Sequence, residues 1–116
     1  MRQEAAQPDP VIRAEIRLLT RDEGGRKSPL IAGSRYRPNH NFFGAHDINM
    51  SVGEIRIPED RDIHGGETFE ATIRLLHWPG LDEIIRVGRT WRIQEGHQLV
   101  ATGRILEMLA PVWPGT

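Results

Sequence analysis

The 116-residue sequence has no cysteine, a single lysine and no apolar run long enough to span a membrane. Without cysteine, the chain has no disulfide, thiol nucleophile or cysteine-ligated zinc. The first residues, MRQEAAQPDP, lack the apolar centre of a signal peptide. We therefore expect a bacterial-type cytoplasmic protein that does not enter the membrane. A single domain of this length buries about two-thirds of its unfolded surface, so its core needs no metal or disulfide.

Charge is balanced and carried mostly by arginine. The formal net charge is -1, and Lys27 is the one lysine among the 15 cationic residues. Arginine suits bidentate contacts with phosphate or carboxylate groups, although a GC-rich genome also enriches it. A near-neutral domain argues against indiscriminate nucleic-acid binding, which relies on a basic surface.

Alternating apolar and polar residues predict an all-β chain of many short strands. The predicted strands lie at 11–19, 53–59, 67–76, 89–94 and 99–109. Their predicted inward residues are Ile12, Ala14, Ile16, Leu18, Ile55, Ile57, Phe69, Ala71, Ile73, Leu75, Trp91 and Ile93. Gly103 suggests a bend or bulge in the last strand. The stretch 81–88 is the one helical candidate. This spacing of strands is typical of a closed barrel or a sandwich.

The segment after the first strand resembles the C-terminal, third β-barrel domain of elongation factor Tu. In that family a strand is followed by an acidic-Glu-Gly-Gly-Arg turn, a proline with an apolar pair, a glycine, and Tyr-Arg-Pro. The corresponding residues here are Asp22–Arg26, Pro29–Ile31, Gly33 and Tyr36–Pro38. Three further stretches match the family in order: VGEIRIPED, DIHGGETFEATIRLLHW and GRTWRIQEGHQLVATGRI. The resemblance covers residues 11–109.

The resemblance implies a small closed antiparallel β-barrel of about six to seven strands over residues 11–110. Residues 1–10 are then a flexible arm and residues 111–116 a tail. The GTPase domain of the family is missing, and no G-x-x-x-x-G-K-[ST] sequence occurs, so we expect no nucleotide. The pair Gly24-Gly25 is most simply a turn that needs a positive φ.

In the family this barrel helps to hold the T-stem of aminoacyl-tRNA through its sugar-phosphate backbone. The resemblance carries those contacts onto Asn39, Ser51, Val52, Gln94 and Glu95. Val52 replaces a threonine of the family and Gln94 an arginine, and a second family arginine is lost nearby. These departures weaken phosphate binding, since its strength scales with the charges that are neutralised.

The stretch 21–39, here called the basic loop, suggests nucleic-acid contact independently of the resemblance. Five cations oppose two carboxylates in it, next to Tyr36, which is compatible with backbone contacts and stacking. Together with residues that the resemblance implies, the predicted RNA- or partner-binding residues are Arg26, Lys27, Arg35, Tyr36, Arg37, Asn39, Ser51, Gln94 and Glu95. The alternative is a solvated loop whose arginines pair with neighbouring carboxylates.

Aromatic residues outside the predicted strands suggest a protein contact instead. The adjacent Phe42 and Phe43 predict one buried and one exposed ring, or a contact surface for another protein. Trp78 and Trp113 have no evident core position, so they either contact a partner or cap the barrel ends.

No constellation of catalytic or metal-binding residues is recognisable. The histidines lack the spacing of a metal site, no carboxylate pair is brought together, and no serine lies on a strand-turn-helix elbow. We therefore expect a non-enzyme without cofactor or metal. Two functions stay open: a module that binds tRNA or another structured RNA, and a protein-interaction module, including a homodimer, that kept the fold and lost RNA.

Overall fold

A computed structural model describes residues 7–113 and shows a nearly all-β chain. Its elements in chain order are β1 Val11–Leu18, β2 Arg35–Tyr36, β3 Asn39–Asn41, β4 Ser51–Arg56, β5 Thr68–Leu75, α1 Leu81–Ile84, β6 Thr90–Glu95 and β7 Gln98–Leu109. The predicted helical stretch 81–88 forms one turn over its first half only.

Six strands close into an antiparallel barrel, which confirms the predicted fold class. The order around the barrel is β4-β3-β6-β7-β1-β5, and the pairing of β5 with β4 closes the ring. The additional strand β2 pairs with the second half of β4, whereas β3 pairs with its first half. Pro38 lies between β2 and β3, and proline cannot donate a ladder hydrogen bond. One edge of β4 is therefore covered by two short strands.

The core fills the barrel with the inward residues of the strands. Every residue that the alternation predicts to point inward is buried, and Leu30, Ile63, Leu81 and Ile105 join them from the connections and β7. Burying side chains of this size stabilises a fold by about 1.5–3 kcal/mol each before entropy is counted. The period-two pattern therefore predicted the barrel interior correctly.

Gly103 is needed for packing, and no bulge lies at this position. It pairs in regular register with Ile16 of β1 and Trp91 of β6, while the two register shifts of β7 lie beside Ala14 and Gln94. A Cβ at residue 103 would lie 2.6 Å from the nearest ring atom of Trp91. The indole occupies the space that any side chain at 103 would need.

The Gly24-Gly25 pair forms the tight turn that follows β1. Gly24 has a φ of 91°, which confirms the interpretation as a turn needing a positive φ. A Cβ on Gly25 would lie 2.6 Å from the carbonyl oxygen of Leu19. The Glu23 carboxylate accepts a hydrogen bond from the backbone N–H of Thr20 at 2.9 Å and so ties the turn to the strand end.

The predicted N-terminal arm, residues 1–10, lies partly outside the described residues. Within the described part, the Asp9 carboxylate accepts a hydrogen bond from the backbone N–H of His77 at 2.8 Å. The carbonyl of Pro10 accepts another from Leu75 at 3.0 Å. The end of the arm is thus tied to the barrel beside the end of β5.

Candidate functional site

The cations of the basic loop meet carboxylates from distant strands. Arg26 forms an ion pair with Glu95 of β6, and the same carboxylate oxygen accepts the hydroxyl of Tyr36. The guanidinium of Arg26 also lies 5.1 Å from the centroid of the Tyr36 ring. Burial, followed by the bond to the Glu95 carboxylate, raises the pKa of the Tyr36 phenol. Three of the predicted RNA-binding residues therefore form one internally paired cluster.

Arg37 is held in the same way by Glu54 of β4. The carboxylate of Glu54 is only 4% exposed and accepts a hydrogen bond from Arg37 Nε at 2.9 Å. Burial raises the pKa of Glu54, but the hydrogen bonds from Arg37 and Trp113 and the charge of Arg35 more than offset this, so the pKa lies below its usual value. Glu54 and Glu95 together reduce the local excess of positive charge from three to one.

Lys27 and Arg35 are also exposed residues of the predicted set. Arg35 lies opposite Arg56 in the pairing of β2 with β4, and its charge contributes to the low pKa of Glu54. Lys27 follows the paired Arg26 in the loop. These two side chains offer less positive charge than the sequence count indicated.

Two residues of the predicted RNA-contact set, Ser51 and Gln94, are buried. Ser51 accepts a hydrogen bond from Trp78 Nε1 at 2.7 Å. Gln94 accepts bonds from Asn41 Nδ2 at 2.9 Å and Arg92 Nε at 3.1 Å. Their side chains are buried and hydrogen-bonded within the barrel.

Asn39 contributes to a turn next to this buried network. Its Oδ1 atom accepts a hydrogen bond from the backbone N–H of Gly96 at 3.3 Å, in the connection between β6 and β7. Val52, which the resemblance also placed at the RNA contact, is 54% exposed. Val52 therefore presents an apolar side chain to solvent at a position where the resemblance implies an RNA contact.

Trp113 lies against the outer wall of the barrel and is buried there. Its Nε1 donates a hydrogen bond to Glu54 at 2.9 Å, and the guanidinium groups of Arg56 and Arg74 lie 4.8 and 5.3 Å from its ring. The indole of Trp113 is thus packed and hydrogen-bonded against the barrel. The tail residues 114–116 lie outside the described residues.

Substituting Trp113 by phenylalanine is expected to lower the free energy of unfolding by about 1 kcal/mol, because the buried carboxylate of Glu54 loses a donor. Urea unfolding followed by circular dichroism measures the change. Val112→Ala serves as the matched control in the same tail, since Val112 is exposed. Equal stability of Trp113→Phe and the parent chain would show that the hydrogen bond contributes nothing.

The two phenylalanines are divided as the sequence predicted, one buried and one exposed. Phe42 stacks on Trp91 in the core, with ring centroids 5.5 Å apart. Phe43 is 49% exposed and packs against Trp78 at 6.2 Å between centroids. Phe42 is therefore a core residue, whereas Phe43 packs against Trp78 at the surface.

Phe43 and Trp78 form two walls of an apolar groove of about 500 Å³ on the outside of the barrel. Val52 of β4 and Leu76, which follows β5, form the floor and are 54% and 55% exposed. The residues of the apolar groove are Phe43, Asn49, Met50, Ser51, Val52, Leu76, His77 and Trp78. One sequence signal for this groove was missed. Leu76 directly follows the inward Leu75, so alternation places this apolar side chain on the outer face of the barrel.

The groove is fixed in shape by hydrogen bonds beneath it. The indole of Trp78 is oriented by its bond to the buried hydroxyl of Ser51. The backbone N–H of Leu76 donates to the carbonyl of Val52 at 2.8 Å, which joins the two floor residues. A preformed apolar surface loses little conformational entropy when a ligand binds.

No protein-family model matches the chain. Among residues 7–113, no group of three or more His, Asp or Glu side chains is placed to hold a metal ion. The short α1 is the sole helix in that range, and it lacks the length and apolar character needed to cross a membrane.

Proposed function

We propose that the protein is a non-catalytic binding module of the kind represented by the third barrel of elongation factor Tu, acting in the cytoplasm, and that its ligand is another protein. The observation that carries this proposal is the apolar groove, with Phe43, Val52 and Leu76 about half exposed. Contiguous exposed apolar surface on a small domain marks sites of interaction.

The composition of the groove supports a protein ligand. It combines Phe43 and Trp78 with Met50, and aromatic residues and methionine are enriched in the centres of protein interfaces. Charged side chains are missing from its lining among the described residues, and charged residues are depleted at interface centres. The groove thus has the chemistry of an anchor site for apolar side chains.

RNA binding is the second candidate, and the exposed Lys27 and Arg35 are the observation in its favour. Affinity for a phosphate backbone depends on the number of cations that can neutralise it. Arg26 and Arg37 are engaged by Glu95 and Glu54, and a carboxylate beside a cation also repels phosphate. The pairing of these two arginines supports a weaker contact than that of a tRNA-binding barrel.

A photo-crosslinking amino acid placed at Leu76 tests the protein-binding proposal in cells that express the chain. We expect a crosslink to a defined protein, identified by mass spectrometry, because Leu76 lies on the groove floor. The crosslink should disappear when Phe43→Ser removes one wall. The matched control carries the crosslinker at Val87, which is 63% exposed against 55% for Leu76 and lies outside the groove.

A salt-titrated binding assay with bulk tRNA tests the RNA candidate in parallel. We expect weak binding that Arg35→Ala with Arg37→Ala leaves nearly unchanged. Binding that falls steeply with salt and weakens by tenfold or more in this variant would establish the RNA function and overturn the protein-binding proposal. Crosslinks that form equally at Leu76 and Val87 would also overturn it.

A further inference from the structure

The groove is bordered by more negative than positive charge, and this selects among protein ligands. Resting on the proposed function, we infer that the apolar groove receives a partner segment whose apolar anchor residues are flanked by lysine or arginine. The carboxylates at its edge, here called the acidic rim, are Asp9, Asp47 and Asp82.

Each residue of the acidic rim is attached to a residue that lines the groove. Asp9 accepts the backbone N–H of His77 at 2.8 Å, and the carboxylate of Asp82 lies 3.8 Å from the imidazole of the same histidine. Asp47 accepts the backbone N–H of Asn49 at 2.7 Å. The three carboxylates come from the arm, from α1 and from the connection between β3 and β4, and each interacts with a residue of the groove.

The cations near the groove do not cancel the acidic rim. Arg37 and Arg74 line a smaller cleft of about 130 Å³ that adjoins the groove through Val52. Arg37 is paired with the buried Glu54, and Arg74 stacks on Trp113. Arg89 donates a hydrogen bond to the carbonyl of Phe42, next to Phe43, and adds a third cation. With Glu54 and the three carboxylates of the acidic rim set against these three arginines, one negative charge is in excess beside the groove.

Charge at the rim of an apolar site governs the choice of partner and the rate of association more than the total affinity. The side chain of Asp82 is 66% exposed to solvent, so its charge is accessible at the surface beside His77. A lysine or arginine beside the apolar anchor of a partner is attracted by these carboxylates. A carboxylate at the same position is repelled, so acidic segments are disfavoured.

Three fluorescein-labelled peptides with one leucine- and phenylalanine-containing centre, flanked by lysine, glutamine or glutamate, test the inference by fluorescence anisotropy. At low ionic strength we expect the lysine-flanked peptide to bind about tenfold more tightly than the glutamate-flanked one, with the difference shrinking as salt is added. Asp82→Asn should reduce the preference by about twofold to threefold. Asp60→Asn, which removes a carboxylate outside the groove and its rim, should leave it unchanged.

The outcomes separate this inference from the proposed function. Equal affinity for the three peptides, lost in Leu76→Ser, overturns the charge preference but supports an apolar protein-binding groove. No binding of any peptide by the folded chain overturns both. A dimer in sedimentation that Leu76→Ser converts to a monomer would show that a second copy fills the groove, and this too overturns the inference.

Discussion

Replacing Gly103 by alanine is expected to destabilise the barrel by about 2–3 kcal/mol, the cost of overpacking a closed core. The new methyl group would lie 2.6–2.8 Å from three ring atoms of Trp91. That indole cannot move aside easily, because its Nε1 donates to His40 Nδ1 at 3.0 Å and its ring stacks on Phe42. Thermal unfolding should show a midpoint lowered by about 10 °C.

Two further variants distinguish a steric clash from a general effect of alanine. Gly44→Ala is the matched control, since a Cβ there meets nothing within 4 Å and the residue has no positive φ, so we expect no measurable change. Combining Gly103→Ala with Trp91→Phe should cost less than the sum of the single changes, because the smaller ring frees the space. Strict additivity of the two costs would contradict the proposed packing.

Acidification from pH 7 to pH 5 is expected to remove about 2 kcal/mol of stability through His40 alone. Burial lowers the pKa of His40 to about 4, whereas an unfolded histidine titrates near 6.5. As the pH falls below 6.5, the unfolded chain takes up a proton at this residue and the folded chain does not. The loss is therefore spread between about pH 6.5 and pH 4 and is absent above that range.

Denaturant unfolding at several pH values tests this, with His40→Gln as the variant. We expect His40→Gln to be less stable than the parent at pH 7 but to lose much less stability by pH 5. His97→Gln, which changes an exposed histidine, should keep the slope of the parent chain. The range stops at pH 5 because the lowered pKa values of Glu23, Glu54 and Glu67 make stability fall further in more acid solution. Parallel curves for His40→Gln and the parent would exclude the assignment.

The interior of the barrel could be predicted because strand alternation is a local property. The side of the sheet on which Ile12, Ile73 and Ile93 lie follows from the polar residues next to them in the sequence, because successive side chains of a strand point to opposite faces. Gly103 could not be interpreted in this way, since the reason for it is an indole on a neighbouring strand. A bulge and a close approach both require glycine, and the sequence does not distinguish them.

The charges of the candidate site were misjudged because the sequence count considered only nearby residues. Arg26 and Arg37 acquire their counter-charges from Glu95 and Glu54, which lie on strands that are distant in the sequence. Alternation placed Glu54 on the outer face, but it could not foresee that the tail would cover it with Trp113. Pairing across a barrel depends on strand order, which no local pattern contains.

The groove was predictable only in part, for the same reason. Phe43 and Trp78 were singled out as aromatic residues outside the strands, and they do lie together. Val52 and Leu76 join them because β4 pairs with β5, the contact that closes the barrel. A surface that forms where two strands close the barrel can be predicted only when it is known which strands pair there.

The first residue of β1 and the last residue of β7 are opposite each other in the sheet, Val11 facing Leu109. Paired residues of antiparallel strands lie about 5 Å apart, so the barrel begins and ends at one point on its surface. Such a barrel can be spliced into a surface loop of a host protein with both junctions side by side. Placing the second junction beyond Trp113 preserves the indole contact, and the barrel would then carry the proposed groove into its host.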